Sequence, residues 1–389
     1  MSDGTHNDET ANTGFRPSRR GLLTAALGGV AGIAAGAAGG VALTRPVDGG
    51  EPQATAGPQG VQADGRHQAG IRRPAEPQRF GALLVLDAPA GLDWLPAVGA
   101  RILDLTGGAD ADLLPDGPGD LTLTVGLGPD LVPAGLPGSE PLPDFAGDDG
   151  IPARARGGDV LLAAYASDPT VLGGVLSDLA ALVPGATTRW QQFVFRGQGS
   201  GSKARNPLGF MDGIVVPHTT AEFDDGVWIA DGPAAGGSIL VIRRLRLDTA
   251  AFRTLSIGER EAVIGRTHTD GAPLSGGGPD DQIDLRAKTP DGEFVIPARA
   301  HARAAHPSFT GSPLMLRRSY SFENDAAAGA DSGLVFMSFQ NELRTFVATQ
   351  QRLDEVDALM PFTTPTASST FLILPGFDAQ TPLGAGLRA

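Results

Sequence analysis

Apolar and polar positions along the chain predict strands in the part that follows residue 65. Residues 80–87 form a short apolar run, which is typical of a buried strand. Residues 121–125 alternate between apolar and polar side chains, as a half-buried strand does. Residues 160–166 and 190–195 predict two more strands.

One helix is predicted between the last two of these strands. Asp168 suits its N-cap and Pro169 suits its first turn. Apolar side chains then recur on one helical face at Val171, Leu172, Val175, Leu176, Leu179 and Leu182. The order of elements predicts an antiparallel sheet backed by helices.

The second half of the chain shows a similar pattern. Strands are predicted at residues 237–243, 334–338 and 370–374. Ser256 and Glu259 form a capping-box pattern for a helix that ends near Gly265. Residues 342–353 predict another helix. The two halves therefore predict a pair of related α+β modules, although no sequence repeat proves a duplication.

The first 64 residues differ from this folded part. Arg19 and Arg20 precede a weakly apolar stretch, rich in Ala and Gly, that carries no charge until Arg45. We interpret residues 1–44 as a twin-arginine export signal, with an uncleaved membrane anchor as the alternative. Residues 45–64 are rich in Gly, Pro, Gln and Ala and predict a flexible linker. The twin-arginine translocase carries folded proteins, so this route is compatible with a cofactor acquired before export to the periplasm, cell envelope or medium.

Charge and cysteine content exclude several classes of function. The formal net charge is −14, which argues against nucleic acid as a partner because phosphate binding needs a basic surface. The chain has no cysteine, which excludes disulfides, thiolate-bound zinc, iron–sulfur clusters and thiol nucleophiles.

Three short segments carry the candidate chemistry. His301 and His306 lie on a predicted short helix, five positions apart, and so do not share one metal as an i, i+4 pair would. Asp212 lies between two glycines, an arrangement that lets the backbone approach a flat ligand closely. Arg317 follows an apolar run, which places a guanidinium at a strand end. Taken singly, each segment also fits a structural histidine, an ordinary turn or a surface ion pair.

In order along the chain, these segments resemble the dye-decolourising (DyP-type) haem peroxidases. Residues 206–213 resemble the GxxDG signature of that family, residues 300–307 its proximal-histidine stretch and residues 316–320 its distal-arginine stretch. Supporting similarities lie at residues 67–71, 236–244, 261–266, 271–274, 339–340, 351–353 and 374–376. The resemblance covers about residue 64 to the end and points to the exported branch that includes deferrochelatase-like proteins.

The resemblance implies two ferredoxin-like modules, with antiparallel sheets, helices packed outside and haem in the C-terminal module. We place the modules at residues 65–220, including the GxxDG loop, and 221–389. One haem b per chain is implied, with His301 as the proximal iron ligand. Asp212 and Arg317 would be catalytic on the opposite, distal face. Further cofactor-binding positions are implied at Leu208, Gly209, Phe210, Arg303, His306, Pro307, Ser308 and Glu342.

Some positions depart from the family pattern. Ala300 stands where Ser is frequent, and Ser319 where Gly or Asn is frequent. The acid that orients the proximal histidine is usually Asp, and Glu342 is the residue expected in that role here. His306 occupies a position that is commonly Asn and is the alternative iron ligand.

The function implied is reduction of hydrogen peroxide with oxidation of dyes or other organic donors. Three alternatives stay open at this point: a deferrochelatase that releases iron from haem, a non-enzymatic haem carrier, and a structural module that binds no haem. Homo-oligomerisation is also open. Large donors would pass electrons through surface aromatic residues, for which the candidates are Trp94, Trp190, Trp228, Tyr165 and Tyr320.

Overall fold

A computed structural model of the chain describes residues 60–325 and 331–388. The predicted export signal at residues 1–44, and all of the predicted linker up to residue 59, lie outside the described residues. Within the described part, the search for a helix both long and apolar enough to cross a membrane finds none.

The first half of the described chain has the element order βαββαβ. Its elements are β1 (Phe80–Asp87), α1 (Leu95–Thr106), β2 (Thr122–Leu127), β3 (Val160–Ala166), α2 (Leu172–Ala181) and β4 (Thr187–Phe195). The strands lie side by side in the order β4-β1-β3-β2, and all neighbours are antiparallel. This is the strand order of a ferredoxin-like module.

A small three-stranded sheet and one helix connect the two halves. They are β5 (Gly199–Ser200), β6 (Lys203–Arg205), β7 (Met211–Asp212) and α3 (Thr220–Gly226). A capping box between Thr219 and Glu222 starts α3. The second half follows with β8 (Ser238–Leu247), α4 (Thr249–Thr254), α5 (Ile257–Ile264), α6 (His301–Ala304), β9 (Leu316–Arg317), β10 (Tyr320–Asp325), β11 (Asp331–Gln340), α7 (Leu343–Val356) and β12 (Thr363–Ile373).

The second half repeats the strand order of the first. Its strands lie in the order β12-β8-β11-β10, with β9 also paired to β11. The predicted antiparallel α+β fold of two ferredoxin-like modules is therefore confirmed. The boundary between residues 220 and 221 stays a prediction, because one sheet runs through both modules.

The two modules share that sheet through their edge strands. β2 pairs with β12, and β4 pairs with β10, so the sheet closes on itself. Successive side chains of a strand point to opposite faces. In β1, Leu83 and Val85 join an apolar cluster contributed by strands of both modules, whereas Leu84 and Leu86 pack in the cluster that contains the apolar faces of α1 and α2. Burial on both faces explains why β1 is a continuous apolar run.

Most elements lie where the sequence predicts them. Asp168 accepts a hydrogen bond from the Thr170 backbone at the start of the turn that leads into α2. The Ser256–Glu259 capping box is present, and Gly265, with φ +90°, ends α5. Helix α1 and strand β10 were not predicted, and the predicted helix around His301 is only four residues long.

A buried ion pair joins a loop of the first module to a strand of the second. Asp148, from the loop between β2 and β3, accepts from Arg243 of β8 at 2.5 Å and 2.6 Å. The side chains of Asp148 and Arg243 are 1% and 3% exposed. A buried charge left without its partner is strongly destabilising, so this pair fixes one module against the other.

We predict that Asp148→Asn lowers the free energy of unfolding by about 4 kcal/mol, because it leaves the Arg243 guanidinium buried without a countercharge. Urea unfolding followed by circular dichroism measures this. The matched control is Asp144→Asn, whose side chain is 75% exposed and pairs with Arg156; it should cost less than about 1 kcal/mol. Equal losses in the two variants would contradict the role given to the buried pair.

Candidate active site

A largely apolar cavity lies between the outer face of the second module's sheet and helices α6 and α7. Side chains from β8 and β11, both helices and the segment 208–215 line it. Its volume accessible to water is about 220 Å³, far more than the 10–15 Å³ or so that one water needs. A cavity of this size and character fits a ligand rather than buried water.

His301, the first residue of α6, lines this cavity. Its Nδ1 lies 2.6 Å from a carboxyl oxygen of Asp357, which is 1% exposed. A carboxylate only accepts, so Nδ1 carries the hydrogen and the neutral ring keeps its lone pair on Nε2. Burial works to lower the pKa of His301, but the charge and hydrogen bond of Asp357 outweigh it and the pKa is raised. The Asp357 carboxylate thus fixes the orientation of the imidazole.

The expectation that Glu342 orients His301 is wrong. Glu342 precedes α7 and is 61% exposed, and its carboxylate accepts from Arg344. Asp357 follows the other end of the same helix, which has 14 residues and is about 21 Å long. α6 packs beside the C-terminal end of α7, as the Asp357 contact shows. The carboxylate that meets His301 is therefore that of Asp357, at a position that the sequence pattern did not single out.

Asp212 is held at the cavity by the turn before it. The side-chain oxygen of Asn206 accepts from the backbone of Leu208 and of Phe210, which closes the turn. Asp212 then ends the short strand β7 and accepts from the backbone of Gly213. The turn therefore presents Leu208, Phe210 and Asp212 to the same cavity.

Both glycines of the GxxDG motif are required by geometry. Gly209 and Gly213 have φ +88° and +80°, which side chains rarely adopt. A Cβ at Gly209 would lie 2.9 Å from the His268 ring, and one at Gly213 would lie 2.1 Å from the Ser202 carbonyl oxygen. The two glycines therefore allow the loop that carries Asp212 to adopt its backbone conformation.

The paired arginines at the end of β9 point in opposite directions. Arg317 lines the cavity, and its guanidinium lies 4.0 Å from Asp212 Oδ1. Arg318 is 4% exposed and donates to the backbone carbonyls of Ile71 and Pro74. Alternation along a strand places one guanidinium at the site and the other in the core.

The Asp212–Arg317 pair also borders a second, much smaller cavity. This one is polar, holds about 20 Å³, and is lined by Arg196, Ser202 and Ser319 as well as the pair. Such a space admits a molecule of about the size of water. The Ser319 hydroxyl is buried and has no hydrogen-bond partner among the described residues, so it is free to contact a small polar solute.

The remaining predicted positions divide into two groups. His306 and Pro307 line the large cavity, and the His306 Nδ1 is bonded to the Ser308 hydroxyl. Gly209, Ser308 and Arg303 are not among the described residues that line it. Arg303 donates to the Leu285 carbonyl and stacks on Phe294, and its place beside a cofactor stays a prediction.

Sequence reasoning gave no role to Arg266, which also lines the large cavity. It is 5% exposed and donates to the backbone carbonyls of Gly271, Pro279 and Asp281. Burial lowers the pKa of Arg266, and the nearby charge of Arg317 lowers it further. Its segment was part of the resemblance, but a lone Arg after a helix carries no signal of burial.

Comparison of the sequence with known proteins finds one family model and several relatives. The family model described as Dyp-type peroxidase, C-terminal, matches residues 203–378. A dye-decolorizing peroxidase of Thermobifida fusca is 35% identical over 69% of this chain and 66% of its own length. A deferrochelatase of Yersinia pestis is 31% identical over 72% of this chain and 69% of its own length. The chain thus spans about two thirds of these relatives.

A solved structure extends the match over almost all of the described residues. The oxyferrous complex of DtpA from Streptomyces lividans aligns with a TM-score of 0.78 and 31% identity, covering 87% of this chain and 100% of that one. The chain belongs to the DyP-type peroxidase family. Membership places it among the haem peroxidases, an oxidoreductase class. A DypB variant from Rhodococcus jostii, which is solved in complex with heme, shares the fold with a TM-score of 0.61 and 23% identity, covering 79% of this chain and 96% of that one.

The residues of the large cavity fit a haem group. One imidazole offers a free Nε2, its other nitrogen being fixed by Asp357, and haem proteins need such an axial ligand. Apolar side chains surround most of the cavity, which suits a porphyrin. Asp212 and Arg317 add a carboxylate and a guanidinium to this otherwise mostly apolar lining.

We predict that Asp357→Asn weakens haem affinity by about 10- to 100-fold, because the amide no longer supplies the charge that fixes and polarises the ligand. The asparagine oxygen can still accept from the Leu359 backbone, as Asp357 does, so the end of α7 is kept. Titration of the apoprotein with haem, followed at the Soret band, measures the affinity. Glu342→Gln should bind haem like the unaltered protein, and a loss only in that control would restore the original assignment.

Proposed function

We propose that this protein is a haem-dependent peroxidase that reduces hydrogen peroxide and oxidises dyes or other organic donors. The observation that carries the proposal is the cavity shared by three groups: the oriented imidazole of His301, and Asp212 and Arg317 with 4.0 Å between carboxylate and guanidinium. A carrier of haem has no need for a carboxylate and a guanidinium together on the open face.

The cofactor in this proposal is one haem b per chain, with His301 as the iron ligand. When bound, haem supplies the iron at which peroxide is reduced at the expense of the donor. Leu208 and Phe210, with the apolar side chains of β8 and β11, would contact the porphyrin. His306 lines the same cavity and is the alternative ligand.

The distal residues handle protons and charge. Asp212 can take a proton from one oxygen of peroxide and return it to the other, as the O–O bond breaks. Arg317 can stabilise the negative charge that develops on the departing oxygen. Each peroxide takes up two electrons and two protons and yields two waters, and the organic donor supplies the electrons.

The small polar cavity supports a separate route for peroxide. It meets the large cavity at Asp212 and Arg317, and its volume suits a solute of the size of water or peroxide. Peroxide would thus reach the proton-handling residues without crossing the apolar space that a porphyrin fills.

Release of iron from haem is the second candidate function. It is favoured by the similarity to the Yersinia protein, which is named a deferrochelatase. Incubation with haem followed by product analysis separates the two: free iron with intact protoporphyrin indicates iron release, whereas donor oxidation that depends on peroxide indicates peroxidation. A haem carrier would show neither reaction.

We also propose export by the twin-arginine route, with the translocase as a transient partner and the periplasm, envelope or medium as destination. The support is the Arg19-Arg20 pair and the weakly apolar run after it. Replacing both arginines with lysine should leave the protein in the cytoplasm, as fractionation would show.

We predict that Asp212→Asn lowers the rate of peroxide reduction by about 10²- to 10⁴-fold while haem stays bound, because the amide cannot take up the proton. Steady-state peroxide consumption measures the rate, and the Soret band reports the haem. Asp280→Asn is the control, since that carboxylate is 76% exposed and pairs with Lys203. Undiminished turnover in Asp212→Asn would show that Asp212 is not the base.

We predict that His301→Ala loses most of its haem, whereas His306→Ala keeps it. The reason is that His301 has the buried carboxyl partner, while His306 is bonded to a surface serine hydroxyl. Haem content per chain, from the absorbance of purified protein, measures both. Retention of haem with an unchanged spectrum in His301→Ala, with loss in His306→Ala, would move the ligand role to His306.

A further inference from the structure

Methionine sulfur is concentrated around the large cavity. The chain has five methionines and no cysteine. Four methionines belong to the described part of the chain, and three of them line the cavity: Met211, Met315 and Met360. The fourth, Met337, packs inside the closed sheet, in the apolar cluster to which both modules contribute. The thioethers therefore lie mainly where peroxide is proposed to react.

Met315 is linked most directly to the proposed distal residues. It immediately precedes β9, and side chains two positions apart along a strand share a face, with their Cα atoms about 7 Å apart. Met315 and Arg317 accordingly both line the cavity, whereas Leu316 between them packs inside the closed sheet. Met315 is only 9% exposed, so its sulfur is largely screened from bulk solvent.

Packing explains the volume of these side chains but not their sulfur. Methionine fills irregular gaps, yet leucine has a similar volume and usually replaces it at little cost. Neither tyrosine nor tryptophan is among the described residues that line the large or the small polar cavity. Tyr165 and Tyr320 instead lie in the cluster inside the closed sheet. The thioether is thus the side chain next to Arg317 that most readily takes up oxygen.

We propose that Met315 is a site of peroxide-dependent modification, at which the protein forms methionine sulfoxide when no organic donor is present. The sulfur takes one oxygen atom from hydrogen peroxide and gives up two electrons. The O–O bond breaks, and the second oxygen leaves as water with both protons of the peroxide. Met211 and Met360 line the same cavity and would be oxidised after it.

The site rests on the proposed peroxidase function, because peroxide must be activated beside Arg317. Its effect is to consume peroxide that would otherwise damage the porphyrin or the chain. The modification is reversible in principle, since sulfoxide reductases restore methionine. Until then the sulfoxide adds a polar group to a mostly apolar lining.

The test compares the haem-loaded protein with the apoprotein. Each is treated with hydrogen peroxide in the absence of a donor and then digested for peptide mass spectrometry. We expect the Met315 peptide to gain one oxygen atom in the haem-loaded sample alone, and the Met337 peptide to gain none in either. Met337 is the internal control, because it is 0% exposed and lies on the other face of the sheet. Guaiacol added as a donor should lower the yield of Met315 sulfoxide, since it competes for peroxide.

Equal oxidation of Met315 with and without haem would show attack by free peroxide and would overturn the site. An unmodified Met315 in a preparation that oxidises guaiacol would overturn it too, while leaving the peroxidase function intact. If the same preparation neither oxidises guaiacol nor modifies Met315, both proposals fail. The assay of guaiacol therefore distinguishes the two failures.

A second measurement tests the protective effect. Met315→Leu keeps the volume of the side chain and removes its sulfur. When peroxide is added without a donor, in an amount comparable to the haem, the variant should lose a larger share of its Soret absorbance than the unaltered protein. Met337→Leu is the matched control and should lose the same share as the unaltered protein. Equal losses in all three proteins would contradict the protective role of Met315.

Discussion

The pairing of each module's edge strands with those of the other module is the constraint on which the structure depends. A ferredoxin-like sheet in the order found here leaves its second and fourth strands with unpaired backbone groups, which proteins must cover. β2 pairs with β12 and β4 with β10, so neither module keeps these edges open. The ring buries apolar side chains inside and leaves its outer face for the helices.

This closure also determines where chemistry can occur. The ring interior is filled by apolar side chains from both modules, so the ligand-sized space lies outside it, between β8, β11 and the helices of the second module. The connection between modules contributes the loop with Asp212, and the edge of β11 contributes Arg317 through β9. One cavity therefore receives the imidazole of His301 from the second module and the carboxylate of Asp212 from the linking segment.

Local patterns predicted most of the fold, because buried strands leave strong signals. The apolar run of β1 and the capping box at Ser256 needed no tertiary information. α1 was missed although Leu95, Val98, Ile102 and Leu105 recur at helical spacing. β10 offered only two apolar positions, Tyr320 and Phe322. Closure of the sheet could not be predicted, because pairing between distant edges leaves no local pattern.

The sequence predicted the main side chains of the candidate site, but not the residues that hold them in place. His301, Asp212 and Arg317 belong to segments whose order along the chain resembles a family, and the cavity contains all three. Asp357 and Glu342 flank the same helix, and spacing alone cannot say which end meets α6.

A helix of four residues is too short to be stable by itself, so the position of His301 must come from tertiary contacts. α7 provides them at both ends of α6, through Asp357 at the imidazole and Arg352 at the Ala304 carbonyl. α7 is in turn fixed to the sheet, where Phe346 packs on Phe336 of β11. Because α7 packs on the sheet and contacts α6, the sheet fixes the orientation of the imidazole through α7.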